Sequence, residues 1–351
     1  SSDSSITVDF TADRFRTMDH SHTVLRAHFD KWLSERISAK GVFVIPKYRV
    51  DDLIFENGNV AGIKAGSEEI PANVVVAADG VLSFMAEKAG LKSKMAPGNY
   101  AVGMKEVVQL PQGTINDRFN VENHEGCAHL YAGDVTKGVF GGGFLYTNRE
   151  SVSVGVVAGI QSLMKKTPAI EAHTLMESFK ERYELKRLLD GGETVEYSAH
   201  IIPEAGYNNI SKLYGNGILV IGDAAGFALN MGVTVRGMEF AIASGILAAE
   251  TIVQAKERGD YSSRVLSSYE ASLRNEFVLK DLETHKRIPE FIQKEDFFSF
   301  YPQQFPAFLE QILWFGEGPK EKIGATLRRQ FKSSGMFRLS RLRDMFSLRK
   351  L

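Results

Sequence analysis

Apolar residues recur along the chain in two rhythms, and the switches between them mark out the elements. From Val24 the spacing is helical: Leu25, Phe29, Trp32, Leu33 and Ile37 fall on one face, and Gly41 closes the segment. Short runs at 42–45, 50–55 and 60–64 read as strands of a meander. Asn57-Gly58, between the last two, is a dipeptide that closes a tight hairpin because both residues tolerate positive φ. Residues 73–78 (NVVVAA) form an unbroken apolar run of β-branched type, which predicts a strand covered on both faces and ended by Asp79-Gly80. Strands with Gly-rich turns dominate 100–160, notably 139–146 and 152–160. A helix is predicted over 170–189, stopped by Gly191-Gly192, then a strand over 194–202. A second buried-type strand, 217–221 (GILVI), runs straight into Gly222-Asp223-Ala224-Ala225-Gly226. A long helix over 237–257 and more helix over 262–287 follow; beyond Ile288 the chain is aromatic and then basic. The pattern predicts an α/β fold, a parallel core interrupted by an antiparallel sheet.

Composition narrows the class. The 351 residues, 44% hydrophobic and 24% charged, suit about two domains or one large α/β unit. No apolar run approaches the roughly 18–20 residues of a membrane span, and the N-terminus lacks a signal-peptide profile. The one cysteine, Cys127, excludes an intrachain disulfide and any four-cysteine zinc or iron–sulfur site built by this chain alone, which points to a reducing cytoplasm. The net charge of −1 conceals an asymmetry: residues 320–351 carry ten Lys/Arg against Glu321 and Asp344, a tail of +8 on a body of about −9. No aromatic-basic sheet signature is present, so no nucleic-acid partner is expected.

The sharpest chemical feature is 217–245, GILVIGDAAGFALNMGVTVRGMEFAIASG. A buried strand delivers Gly222-Asp223 to its carboxyl end, where ligands sit in open α/β sheets. Glycine and alanine keep Cβ bulk away, so that backbone N–H groups can approach a flat or phosphorylated ligand, and the carboxylate can accept bonds from hydroxyls. Gly232 and Gly237 flank the entry to a helix whose dipole favours an electron-rich group. A tight strand-to-helix turn with a capping aspartate is the plainer alternative. Asp19-His20-Ser21-His22 lacks a completing metal ligand and reads as a polar loop, Cys127 as a packed thiol, and no nucleophilic triad is spaced for catalysis.

These residues carry a family resemblance. The 217–245 segment resembles the second flavin-binding motif of FAD-dependent oxidoreductases of the p-hydroxybenzoate hydroxylase superfamily, and within it the FixC-like branch of electron transfer flavoprotein:ubiquinone oxidoreductases. Residues 24–33 (VLRAHFDKWL) resemble the family's helix start, 73–80 (NVVVAADG) its Asp-Gly strand end. The blocks 105–121, 141–148 (GGGFLYTN) and 196–206 (EYSAHIIPEAG) are similar to the sheet domain of the FixC branch. The resemblance implies that Arg26 lies near the FAD pyrophosphate, with Asp79 and Gly80 at a strand-end contact. It implies that Gly222, Asp223, Ala224, Ala225 and Gly226 hold the ribityl chain or pyrophosphate, that Gly232 and Gly237 back the isoalloxazine ring, and that Arg236 supplies charge near it. Each has a plainer alternative as a capping, turn or surface residue.

One part of the family pattern is missing. No G-x-G-x-x-G occurs: 141–143, 215–217 and 316–318 all lack the third glycine. The expectation is that this first βα unit precedes residue 1, and FAD occupancy of the chain as given depends on it. The implied domains are 1–98 as part of an FAD-binding domain, 99–205 as an antiparallel-sheet substrate or quinone domain, 206–287 as the second FAD-binding part, and 288–351 as a helical basic tail.

The implied function is transfer of electrons from an electron transfer flavoprotein through FAD to a quinone or a ferredoxin-type acceptor, with no catalytic acid or base. With one cysteine, an iron–sulfur cluster would have to reside on a separate ferredoxin-like partner. Alternatives are a flavin monooxygenase or geranylgeranyl-type prenyl reductase of the same fold, or a flavin-free interaction module. In the tail, arginines 338, 341 and 349 and apolar 339, 342 and 346 segregate on a helix, which predicts peripheral membrane contact through 320–351 on the cytoplasmic side; a docked terminal helix is the alternative.

Overall fold

The helical rhythm after Val24 produces α1 (Arg26–Ser38), but none of its residues is buried, so the apolar face at Trp32 and Leu33 stands in solvent. In the computed structural model, residues 5–10, 21–94, 96–122, 124–204, 206–232, 234–335, 338, 341, 343 and 344 are described. The hairpin forms as its turn dipeptide requires: β1 (Asp52–Glu56) and β2 (Asn59–Ala65) pair antiparallel, and Asn57 and Gly58 both take positive φ, +50° and +79°. β3 (Glu68–Pro71) adds to β2. The run 42–45 is not a strand; among the described residues no strand pairs with it, and Phe43 is 92% exposed. The NVVVAA run yields only β4 (Val75–Ala77), followed by α2 (Phe84–Lys88). Contrary to the pattern, the described residues do not cover β4 on both faces: Val76 is 38% exposed, and β4 is at the edge of the described sheet.

The strand-rich stretch folds as β5 (Tyr100–Gln109), α3 (Gln112–Phe119), β6 (Ala128–Tyr131), β7 (Gly141–Thr147), β8 (Ser151–Gly159) and α4 (Ile160–Lys165). The helix expected over 170–189 divides into α5 (Ala172–Lys180) and α6 (Tyr183–Leu189), with Arg182 extended at φ −61°, ψ 140° between them. Then come β9 (Glu193–Pro203), β10 (Tyr214–Gly215), the fully buried β11 (Ile218–Val220), α7 (Gly222–Ala225), β12 (Leu229–Asn230) and β13 (Val235–Arg236). α8 (Met238–Arg258) has Glu239 in its first turn and Lys256 and Arg258 in its last; Gly259 at φ +62° closes it. The helical stretch 262–287 is three short helices, α9 (Ser263–Leu266), α10 (Ser268–Asn275) and α11 (Phe277–Thr284), and α12 (Ile288–Ile292), α13 (Asp296–Ser299), α14 (Tyr301–Leu313) and α15 (Ile323–Ser333) follow.

The chain forms two compact units, each assembled from separated stretches. One comprises residues 26–101 and 201–289. Its core gathers Leu53, Val60, Leu219, Val220, Phe227, Phe240, Tyr269 and Leu282 around β4 and β11. α8 is the one described helix whose length and apolarity would suffice to cross a membrane; one stripe, Phe240, Ser244, Ala248, Thr251 and Ala255, is buried, while Ile242, Ile246 and Val253 are 54–56% exposed. The other unit comprises 1–25, 102–200 and 290–351. Its sheet runs β6-β7-β8-β5-β9, and β8 turns Val152, Val154, Val156 and Ala158, all 0% exposed, onto a core completed by Phe119, Leu175, Met176, Phe179 and Leu185.

Candidate functional site: two turns at the ends of parallel strands

β4 and β11 are parallel and in register, with Val75, Val76 and Ala77 facing Ile218, Leu219 and Val220. The Ile221 N–H donates to the Ala77 carbonyl at 3.0 Å, so the two strands end side by side. Asp79-Gly80 follows one and Gly222-Asp223 the other, which brings together two motifs more than 140 residues apart at the edge where open α/β sheets bind ligands. Gly222 needs its left-handed φ of +57°, and a Cβ there would meet that of Ala241 on α8 at 3.3 Å. The turn is tied to α8 as well: the Gly222 N–H donates to Ser244 Oγ at 3.1 Å, and Ser244 Oγ donates to the Ala241 carbonyl at 2.9 Å. Ala224 and Ala225 are fully buried beneath it, and Gly226, at φ +87°, caps α7.

The two aspartates do different work. Asp79 Oδ2 accepts the Met85 N–H at 2.9 Å and so caps the start of α2. Gly80 supplies the left-handed bend before it, at φ +77°. Asp223 is more deeply placed, and among the described residues its carboxylate accepts no hydrogen bond. Burial pushes its pKa up, against the opposing charges of Arg26 and Lys92. Lys92 is the residue the sequence did not mark. Its Nζ donates to the Val81 carbonyl at 2.9 Å and the Ala224 carbonyl at 3.2 Å, so one ammonium binds both turns. Burial lowers its pKa, while Asp79, Asp223 and Glu87 pull the other way. Arg26 opens α1 and pairs with Asp30 through Nε and an Nη at 2.9 and 3.0 Å; its charge still reaches Asp223.

The hairpin β12–β13 carries the remaining motif residues. Gly232, at φ +81°, gives its N–H to Asn230 Oδ1 at 2.9 Å. Gly237 begins α8 and donates its N–H to Glu239 Oε2 at 3.3 Å. Arg236 is held by carboxylates rather than left free: Nε to Glu239 and Nη1 to Asp281, both at 2.6 Å, with the guanidinium over the Phe240 ring at 4.5 Å.

In the other unit, the sheet face opposite the core carries Phe144 and Tyr146, stacked at 5.7 Å and 15°, beside Leu130, which is 56% exposed. Gly155 makes room for them, since a Cβ there would lie 2.2 Å from Phe144 Cζ. Cys127 is a packed thiol, half-buried and pushed up in pKa by that burial. No cluster of His, Cys, Asp or Glu suited to a metal occurs among the described residues; Asp19 and His20 lie outside them. Most of the predicted tail face, including 339, 342, 346 and 349, also lies outside them. Arg341 does not belong to an open cationic face: it is 7% exposed, bound to both oxygens of Asp296 at 2.9 Å and stacked on Phe300.

This architecture recurs in solved structures of other proteins. Solved structures covering most of the chain share it at low identity: a geranylgeranyl bacteriochlorophyll reductase-like protein from Thermoplasma acidophilum (TM-score 0.64, 21% identity, 93% of this chain and 75% of that one). The flavin-dependent brominase Bmp2 does so too (TM-score 0.54, 16% identity, 88% of this chain and 75% of that one). Residues 100–202 match the family described as ETF-QO, ubiquinone-binding. The chain is 38% identical over 338 residues to a probable electron transfer flavoprotein-quinone oxidoreductase, YdiS, of Escherichia coli K12, covering 96% of this chain and 78% of that protein. It is also 38% identical over 316 residues to the protein FixC of Bradyrhizobium diazoefficiens, with 88% and 71% covered. The chain belongs to the FixC-like family of electron transfer flavoprotein–quinone oxidoreductases and is an FAD-dependent oxidoreductase.

The residues present fit that cofactor. Asp223 is half-buried and its carboxylate accepts no hydrogen bond among the described residues, so it has acceptor capacity to meet the hydroxyls of a ribityl or ribose chain. The small residues 222–226 keep the turn compact against its neighbours, with Gly222 and Gly226 in the left-handed region.

Proposed function

We propose that this protein accepts electrons from an electron transfer flavoprotein and delivers them to a quinone, with FAD as the relay. The observation that carries the reading is the meeting of the Asp79-Gly80 and Gly222–Gly226 turns at the ends of β4 and β11, joined by Lys92 beside the Asp223 carboxylate, which accepts no hydrogen bond among the described residues. When bound, FAD supplies the redox chemistry; the protein's share is to bind, orient and shield it.

In this reading Asp223 accepts hydroxyls of the cofactor, Gly222, Ala224, Ala225 and Gly226 give it room, and Arg26 and Lys92 hold the positive field that its phosphates need. Gly232 and Gly237 border the ring system. Arg236, already neutralised by Glu239 and Asp281, fixes the shape of the hairpin more than it adds charge. The unit of 26–101 and 201–289 is the FAD-binding part, and the unit that contains 102–200 is the quinone part, with 1–25 and 290–351 belonging to the latter rather than to an FAD-binding stretch 1–98 and a separate tail 288–351. Phe144 and Tyr146 offer a flat aromatic surface to a quinone ring. Cys127 is packed, and in this reading a separate ferredoxin-like protein is a further partner that would carry an iron–sulfur cluster.

A quinone acceptor is lipid-soluble, so the protein works at the cytoplasmic face of a membrane. The connection between α14 and α15 supports this: Leu313, Trp314 and Phe315 are 71–79% exposed, Lys320 and Lys322 follow with Glu317 and Glu321 among them, and α15 adds Arg328, Arg329 and Lys332. An apolar tip beside cations suits an anionic bilayer. Flotation with anionic vesicles checks it: the Trp314→Glu, Phe315→Glu double variant is expected to stay behind, and equal flotation would remove the idea.

The functional test mixes the full-length, FAD-loaded protein anaerobically with a reduced electron transfer flavoprotein and follows flavin absorbance. Bleaching, reversed by a quinone, is expected. Bleaching by NADPH alone, with none from the flavoprotein, contradicts the proposal and favours the prenyl reductase or monooxygenase alternative.

A further inference from the structure

Glu204, immediately after β9, is 5% exposed, and its backbone N–H donates to the Asn99 carbonyl at 2.8 Å. Both carboxylate oxygens accept from Nδ2 of Asn230, at 3.3 and 3.1 Å. Oδ1 of the same amide accepts the Gly232 N–H at 2.9 Å. That backbone donor decides which end of the Asn230 amide faces which way, so Nδ2 is directed at Glu204 and Glu204 must act as acceptor. The turn is closed by the Met231 N–H donating to the Thr234 carbonyl at 2.9 Å, and the hairpin leads through β13 into α8. A buried acid thus stands two hydrogen bonds from the glycine at the tip of the hairpin.

Among the described residues no cation is placed against this carboxyl; Asn230 is its hydrogen-bond partner and favours the charged form. Burial without a countercharge pushes it up to about 7, so that it changes charge in the neutral range. The residue lies in the PEAG end of the 196–206 block, where nothing in the local pattern predicts a buried acid.

We propose that Glu204 is a positioning residue for the cofactor: as a carboxylate it holds the Asn230 amide and, through it, the Gly232 turn, and on taking a proton it relaxes that hold. This rests on the reading above, in which the 229–237 hairpin borders the flavin ring.

The test measures FAD affinity of the full-length protein across the neutral pH range, together with melting of its FAD-free form, for the wild type, Glu204→Gln and Asn230→Ala. Wild-type affinity is expected to rise several-fold as pH passes upward through about 7. Both variants should give a flat profile at the weaker, low-pH level. Melting supplies the second readout. A carboxyl whose folded pKa is raised contributes stability that is present at low pH and lost as pH rises through about 7, so Glu204→Gln should melt above the wild type at alkaline pH and level with it in acid. If Glu204→Gln keeps the wild-type break in affinity, or Asn230→Ala binds FAD as the wild type does, the proposal is overturned while the FAD reading stands. A wild type that binds no FAD at any pH overturns both.

Discussion

The two strand-end turns begin alike and finish differently. Each follows one of a pair of parallel strands, and each has a glycine in the left-handed region beside an aspartate. Asp79 lies at the surface and spends its carboxylate on the Met85 N–H, capping α2. Asp223 is half-buried, and its carboxylate receives no hydrogen bond from the described residues. An Asp-Gly pair at a strand end therefore does not by itself define a ligand contact. What separates the two is whether the fold has already used the carboxylate. β11, with all three residues buried, sinks its turn; β4, half open at Val76, leaves its own near solvent.

That contrast can be broken at several points. The largest effect is expected in the strands themselves. Leu219→Ala, at a fully buried position, should cost about 3 kcal/mol in denaturant unfolding. Val76→Ala on β4 should cost about 1 kcal/mol, since only part of its side chain is removed from water. Equal losses would mean that the two strands are equally embedded. Next is Lys92→Met, which leaves the Val81 and Ala224 carbonyls without their donor; a loss of about 2 kcal/mol is expected, together with weaker FAD binding. Asp79→Ala removes a helix cap and should lower stability by about 1 kcal/mol.

The smallest effect is one of pH. Burial raises the Asp223 pKa above its unfolded value of about 4, so its contribution to stability is full below that value and fades as pH rises through the folded pKa. In FAD-free protein Asp223→Asn should remove this fade, visible as a shallower loss of melting temperature with rising pH. A profile superimposable on the wild type would mean that the carboxylate is solvated or paired.

Much of this was legible in the chain, for local reasons. Asn57-Gly58 dictates its hairpin through backbone conformation alone, and GILVI is apolar enough to read as buried. α3 was hidden among strands because its two buried residues, Ile115 and Phe119, make only one helical repeat after Pro111. The 262–287 helix breaks at Glu276, which is extended at ψ −179° although its neighbours suit a helix. The 42–45 run is β-like in type, but a strand needs a partner and no described strand pairs with it.

The site divides in the same way. Gly222 to Gly226 could be read from a strand running into small residues and an acid. Lys92 could not, because it bonds Ala224 across 132 positions and nothing near it in sequence announces that bond. Arg236 was visible as a charge near a glycine-rich entry, but the two carboxylates that occupy it lie on α8 and α11 and emerge only on folding.

The most direct test of the central claim titrates FAD against the full-length wild type, Asp223→Asn and Asp79→Asn at one pH, reading flavin fluorescence. Loss of a charge-assisted hydrogen bond, about 1.5–3 kcal/mol, should weaken binding by roughly ten- to a hundredfold for Asp223→Asn, while Asp79→Asn stays close to the wild type. The reverse order, or equal weakening by both, would contradict the assignment of Asp223 as the carboxylate that meets the cofactor.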